Sequence, residues 1–383
     1  MPCQARIDSD IIVGMSLTRR EYLQTVAGAI AGGVSILDAE GTVQPGIPGR
    51  YRGRVAGVTH SKCILNGKFQ AKPIGDMLDR GMCELTGAPN PAEAWRQFFE
   101  PADVVGIKVN PVGQPHVCSS AELLHSIVHA LRGAGIKPGN IKVFERYREN
   151  IVKSPYIKWL PQGVQLAYAA PAYDPVQQDI AGYDPECYAE LPFTLPGYDV
   201  GDKAACRSYA AKFISRDITK LINLPVLKSH NAAGVTLALK NLSHGLVNNV
   251  SRSHDGPDLR LTEFIPAVVG IPVIRQKTVL NILDGTKGLF HGGPGITAYM
   301  ARHFVWEHNT IYFATDPVAL DVIGRKAIEE QRMKNQLWPL GESRSDDIWR
   351  SPHRQPQHIE SAGKAGLGEW DLSKIDFKSI QLG

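Results

Sequence analysis

Residues 102–146 carry the pattern that most restricts the fold. "ADVVGIKVN" (102–110) is a short apolar run between Pro101 and Pro111, the mark of a buried strand. "SSAELLHSIVHALRGAG" (119–135) has helical spacing. Ser119 and Glu122 make a capping-box pattern at its start, and Gly133 or Gly135 ends it. "IKVFER" (141–146) is the next strand. A strand, a helix and a strand in this span imply two parallel strands joined by a crossover.

The alternation continues along the chain. "IPGRYRGRVAGVTH" suggests a linker and a first strand, and residues 73–86 and 91–99 read as helices. "DITKLINLPVLKSH" gives one more buried strand and "GVTLALKNLSHGL" a helix. "LRLTEFIPAVVGIPVIRQ" reads as helix broken near Gly270 or Pro272. Strands are expected at 278–285 and 310–316. A helix follows over 317–332, with Asp316 as N-cap and Pro317 at its first position. The tail reads as a short helix, a loop and a last strand. Residues 147–220, rich in Pro, Tyr and Gly, interrupt the pattern with short strands such as "VQLAYA" and "YAAKFIS". The expected architecture is α/β: a mostly parallel sheet with helices on both faces, plus an inserted smaller lobe. Residues 41–383 form one domain with a variable insertion at about 147–220.

The first 40 residues read differently. Thr18-Arg19-Arg20-x-Tyr22-Leu23 precedes a weakly apolar, Ala/Gly-rich stretch from Thr25 to Leu37. This is the pattern of a twin-arginine export signal, so residues 1–40 are expected to be a signal segment and the protein periplasmic or otherwise exported. The 383 residues carry a net charge of +4 without a dense Lys/Arg run, which gives no argument for a nucleic-acid partner. No apolar stretch reaches the ~20 residues of a stable membrane span. None of the six cysteines has C-x-x-C spacing, so no zinc ribbon or ferredoxin-type cluster is encoded.

In open α/β sheets, ligands gather outside the carboxyl ends of the strands. Four strand ends carry unusual polar residues: Lys108-Val109-Asn110, Glu145-Arg146, Lys228-Ser229-His230 and Asp284-Gly285. The two-residue period of a strand puts Lys108 with Asn110, and Lys228 with His230, on one face. A buried lysine without a partner is costly, so these positions point to a carboxylate or a bound anion. Thr236, Lys240 and His244 share one face of the helix that follows Gly234, and its free N–H groups would favour an anion. "DGTKGLFHGGPGIT" (284–297) reads as a glycine-rich loop in which Gly292 and Gly293 would wrap a ligand through backbone N–H groups. It is neither a Walker A loop nor G-x-G-x-x-G. A divalent metal held by His116, His230, His291 and Asp284, with Glu145 as a further donor, is a separate expectation. His125 and His129 sit on a solvated helix face and are set aside. No H-E-x-x-H or G-x-S-x-G occurs, which argues against the common zincins and α/β-hydrolases.

Taken together, "VGIKVNPVG", "LINLPVLKSHNAAGVTLALKNLSHGL", "LNILDGTKGLFHGGPG" and "ATDPVALDVIGRKAIEE" resemble the family called domain of unknown function 362. The closing A-x-x-x-G-L-G of that family is present as Ala362 to Gly368. The resemblance runs from about 102 to 382. Val226 departs from it, standing where many members have a lysine. Members are often joined to iron–sulfur ferredoxin modules; none is present here, so the resemblance implies either a separate redox partner or no redox chemistry.

Two functional expectations follow. In the first, an exported enzyme acts on a small anionic molecule, with a metal or organic cofactor as an open element. Lys108, Lys228 and Lys240 neutralise the anion and Asn110 and Asn241 orient it. His230 moves a proton or binds the metal, with Asp284 as its carboxylate partner. In the second, a periplasmic protein binds the ligand or cofactor without chemistry of its own.

Overall fold

The computed structural model describes residues 46–154, 156–254, 260–342 and 355–383. The twin-arginine segment lies outside the described residues. Ten strands form one sheet: β1 (Arg54–His60), β2 (Val105–Lys108), β3 (Ile141–Phe144), β4 (Gln165–Ala167), β5 (Lys220–Asn223), β6 (Val226–His230), β7 (Gly234–Val235), β8 (Thr278–Leu289), β9 (Val305–Ala314) and β10 (Asp376–Leu382). Their order is β10-β1-β9-β8-β5-β2-β3-β4, with β6 pairing to β8 and β7 folding back on β6. The run β8-β5-β2-β3-β4 is parallel throughout. Only β9, against both its neighbours, and β7, against β6, pair antiparallel. This is the expected mostly parallel α/β sheet.

The principal helices are α1 (Ala71–Thr86), α2 (Pro91–Arg96), α3 (Ala121–Gly133), α4 (Leu237–Leu246), α5 (Arg260–Val269), α6 (Pro317–Lys334) and α7 (Gln357–Lys364). They supply two apolar cores. One gathers α1, α2 and α3 around Val105, Ile107, Ile222 and Ile282. The other gathers α4, α5, α6 and α7 around Leu227, Leu283 and Tyr312. Val105, Ile107 and Val109 all join the first core, so the alternate positions, Lys108 and Asn110, leave the sheet on the α4 side. A smaller lobe lies between β4 and β5. Its antiparallel strands, Tyr183–Glu190 and Arg207–Ala211, meet through Tyr188 and Tyr209.

Three expectations change, and one strand was missed. "DITKLINLPVLKSH" is two strands, because Pro225 interrupts the chain between β5 and β6 and the latter pairs further along β8. β8 runs on to Leu289, through part of the stretch read as a loop, because β9 begins at Val305 and pairs Lys287 with Glu307 and Leu289 with Val305. The capping box at α3 does not form. Ser120 is the N-cap, and Ser119 Oγ instead accepts from Asn110 N and donates to Leu224 O. The strand Tyr183–Glu190 was not apparent, because its polar and proline residues hide a strand period.

Asp316 is the N-cap of α6, as its position before Pro317 implies. Its carboxylate accepts from Val318 N and Ala319 N at 2.9 Å each. It also accepts from Gly53 N at 3.0 Å and Glu369 N at 2.8 Å. One side chain therefore ties α6 to both ends of the domain. Gly368 permits this, since a Cβ there would lie 1.9 Å from Asp316 Oδ1. Asp316→Ala is expected to cost about 2–3 kcal/mol by leaving buried N–H groups unpaired. Urea unfolding measures it, and a loss below about 1 kcal/mol would contradict the assignment.

Candidate functional site

The polar ends of β2, β3 and β6 meet α4 around one cavity of about 130 Å³. Lys108, Asn110, Glu145, Lys228, His230, Lys240 and Asn241 line it, together with Thr236, His244, Gly245, Val112 and Pro294. The three lysines expected at the site therefore converge, although 132 residues separate the first from the last. Gly245 makes room for the first: a Cβ there would stand 2.2 Å from Lys108 Cε. The chain between β6 and α4 is a tight return, with Ser229 paired to Val235 and His230 to Gly234. Leu237 opens the helix at φ +45, in the left-handed region. Strain of that kind costs about 1–3 kcal/mol and persists where the surrounding packing enforces it.

The lysines have unequal surroundings. Lys108 Nζ donates to Glu145 Oε2 at 2.8 Å, Val109 O at 2.6 Å and Asn241 Oδ1 at 3.4 Å. Lys228 Nζ donates to Asn110 Oδ1 at 2.8 Å and to Val112 O. Lys240 Nζ has, among the described residues, one side-chain partner, His254 Nε2 at 3.4 Å. Burial drives the Lys228 ammonium down to about 7, and the neighbouring Lys108 charge adds to the fall, against Cys118 and Glu145. Burial lowers Lys240 well below the ordinary lysine range, with Lys228 and Arg146 reinforcing the effect. His230 and His244 are also lowered, first by burial and then by Lys240. His230 Nδ1 accepts from Ala232 N and Ala233 N at 3.1 and 3.2 Å, which leaves its proton on Nε2.

A chain of amides supports the lysines. Asn110 Nδ2 donates to Asn241 Oδ1 at 3.0 Å, Asn241 Nδ2 to Asn223 Oδ1 at 2.7 Å, and Asn223 Nδ2 to Asn281 Oδ1 at 2.9 Å. Asn281 Nδ2 ends it on Thr315 O at 3.1 Å. Each link orients the next, so the Lys228 partner is held by four elements in series. Thr236, on the cavity wall, has no hydrogen-bond partner for its Oγ1 among the described residues. Arg146 links the site to the lobe: it donates to His244 O at 3.3 Å and to Gln177 Oε1 at 2.7 Å.

The carboxylates are already engaged. Asp284 accepts from Ser120 N and Oγ at 2.7 Å each and from Thr286 N at 3.0 Å. It is not the partner of His230. The N-terminus of α4 was expected to face an anionic ligand. It faces Asp321 instead, whose carboxylate accepts from Ala238 N at 2.7 Å and Leu239 N at 3.0 Å. The expected metal set does not assemble. His291 packs against Arg332 with its Nδ1 3.1 Å from Nη1, and His116 lies partly exposed on the loop after β2. Among the described residues no three His, Cys, Asp or Glu side chains come together to hold a metal ion. Gly292 and Gly293 are packing positions: Gly293 O accepts from Asn231 N at 3.1 Å, and the loop reaches the cavity through Pro294. Asn223, Asn281 and Asp321 were missed by sequence reasoning. Their only signal was a short polar residue inside or just after an apolar run. The five described cysteines are free thiols, and no described helix is long and apolar enough to cross a membrane.

The pH dependence of stability follows from Lys228. An unfolded lysine titrates near ~10.4. Between about 7 and that value the unfolded chain binds more protons, so stability rises with pH across this window. The penalty is fully present below it. Melting temperatures of the wild type and Lys228→Met should therefore differ by an amount that changes between pH 7 and pH 10. Parallel curves would refute the assignment.

The model of the family described as "Domain of unknown function (DUF362)" matches residues 199–326. No curated protein matches the chain. A crystal structure from Thermotoga maritima, a target of the Northeast Structural Genomics Consortium, is 11% identical, with a TM-score of 0.37. The alignment covers 70% of this chain and 60% of that one, and a likeness so slight carries no argument. The family match supports placing the segment that bears Lys228, His230, Lys240 and Asn241 with the domain of unknown function 362 family.

Proposed function

We propose that this is an exported enzyme that binds a small anionic molecule in the strand-end cavity. One observation carries the reading: three lysines border the cavity, while the single carboxylate on its wall among the described residues, Glu145, is already bonded to Lys108. Lys228 donates to Asn110 Oδ1 and Val112 O and Lys240 meets His254, so none of these described partners is a carboxylate and an anion would supply the charge they lack. The volume falls below the ~300–1,000 Å³ of drug-sized sites, which suits a ligand of a few non-hydrogen atoms. Asn110 and Asn241 orient the ligand, Thr236 Oγ1 adds a hydroxyl, and His230, protonated on Nε2, transfers a proton. Export rests on Thr18-Arg19-Arg20-x-Tyr22-Leu23.

Titration calorimetry with inorganic phosphate and with small carboxylates tests the anion reading. Saturable binding that weakens from pH 6.5 to pH 8.5 is expected, because a bound anion raises the lowered lysines and binding takes up protons. Absence of binding by every anion would refute it. Native mass spectrometry of protein from its own host then yields the resident molecule. Its turnover by the purified protein supports an enzyme, whereas tight retention without turnover identifies a binding protein.

A further inference from the structure

The two strand-end lysines occupy corresponding places but face different sets of acceptors. Lys108 Nζ has three acceptors, and one of them is the Glu145 carboxylate. That arrangement matches an ammonium, which has three N–H bonds and a positive charge. Lys228 Nζ has two acceptors among the described residues, Asn110 Oδ1 and Val112 O, and both are neutral. That arrangement matches an unprotonated amine: two N–H bonds are satisfied and a lone pair is left over. The surroundings agree. Lys228 is 0% exposed, and the Lys108 charge opposes a further positive charge on the same wall. The groups that favour its protonation, Cys118 and Glu145, do not bond to it.

Resting on the anion reading above, we infer that Lys228 is a nucleophilic amine that forms an imine with the carbonyl carbon of a small oxo acid. The carboxylate of such a substrate answers Lys240, and its carbonyl is left for Lys228. The lone pair on Nζ attacks the carbonyl carbon and the C=O π pair moves to oxygen. That oxygen takes one proton from His230 Nε2–H and a second from the nitrogen as it closes the C=N bond. Water leaves, and the proton lost by nitrogen on attack returns to His230. The sum is carbonyl plus amine giving imine plus water, with no change of oxidation state and no co-reactant. The amine is available because burial lowers Lys228 to about 7, where an exposed lysine holds about 10³ times less free base.

Glyoxylate and pyruvate are the probes, with sodium cyanoborohydride to reduce the imine. Wild-type protein is treated at pH 7, digested and sequenced by mass spectrometry, and glyoxylate and phosphate binding are measured in parallel. Lys228 is expected to be alkylated first, at least about tenfold faster than exposed Lys72, saturably and with protection by phosphate. Alkylation of exposed lysines with Lys228 untouched, while glyoxylate still binds, overturns the imine inference and leaves the anion reading in place. Phosphate binding without glyoxylate binding has the same meaning. Binding of neither removes both. The wild type alone decides the question; Lys228→Arg, whose circular dichroism is checked first, should lose the adduct.

Discussion

Glu145→Ala destabilises the protein by about 3–5 kcal/mol, the ordinary consequence of stranding one member of a buried ion pair. Lys108 is 1% exposed and Glu145 5%, with 2.8 Å between Nζ and Oε2. Without the carboxylate, the Lys108 ammonium retains, among the described residues, only Val109 O and Asn241 Oδ1 and has no countercharge. Two further measurements separate this cause from a simple packing loss. Lys108→Met/Glu145→Leu should recover most of the stability, because an apolar pair of similar size avoids the desolvation of both charges. Saturating phosphate should raise the melting temperature of Glu145→Ala more than that of the wild type, since an anion in the cavity replaces the lost charge. Urea unfolding that moves by less than about 1 kcal/mol would mean that Lys108 is not held by this pair.

Lys240→Met lowers anion affinity by about 100-fold or more, with folding stability unchanged or raised. The affinity falls because a desolvated lysine facing an anion is worth about 2–5 kcal/mol when one partner is truncated. Stability is spared because, without ligand, this lysine has one weak side-chain contact among the described residues and burial opposes its charge. The pH dependence works in the same direction. An anion raises the lowered Lys240, so the complex holds more protons than the free protein and affinity rises as pH falls. In Lys240→Met that dependence should shrink. A variant that binds phosphate as tightly as the wild type would move the site elsewhere; one that fails to fold would make Lys240 a structural residue.

The strand ends were legible because a strand's period assigns its residues to faces. Lys108 with Asn110, and Lys228 with His230, could be paired on that ground alone, and the helical period placed Thr236, Lys240 and His244 together. All of them line one cavity. The acidic residues were less legible. Asp284 reads as a ligand or as a partner for His230, yet it binds Ser120 and Thr286. Asp321 reads as one more polar residue on a helix, yet it closes the N-terminus of α4 against an anion. Gly292 and Gly293 were ambiguous for a similar reason, since glycine marks close backbone approach whether the neighbour is a ligand or a strand.

By itself the sequence determined the α/β class, the crossover between β2 and β3, the capping of α6 by Asp316, and the faces on which the lysines lie. These depend on intervals of two to four residues along one element, where covalent geometry alone sets the neighbours. Only the tertiary structure decided which charges are neutralised. Lys108 meets Glu145 across 37 residues, Lys228 meets Asn110 across 118, and Asp321 reaches the start of α4 across 83. Partners that distant are chosen by how strands and helices pack. That packing left Lys228 and Lys240 on the wall of one cavity, while Asp284 and Asp321 were already bonded to backbone N–H groups.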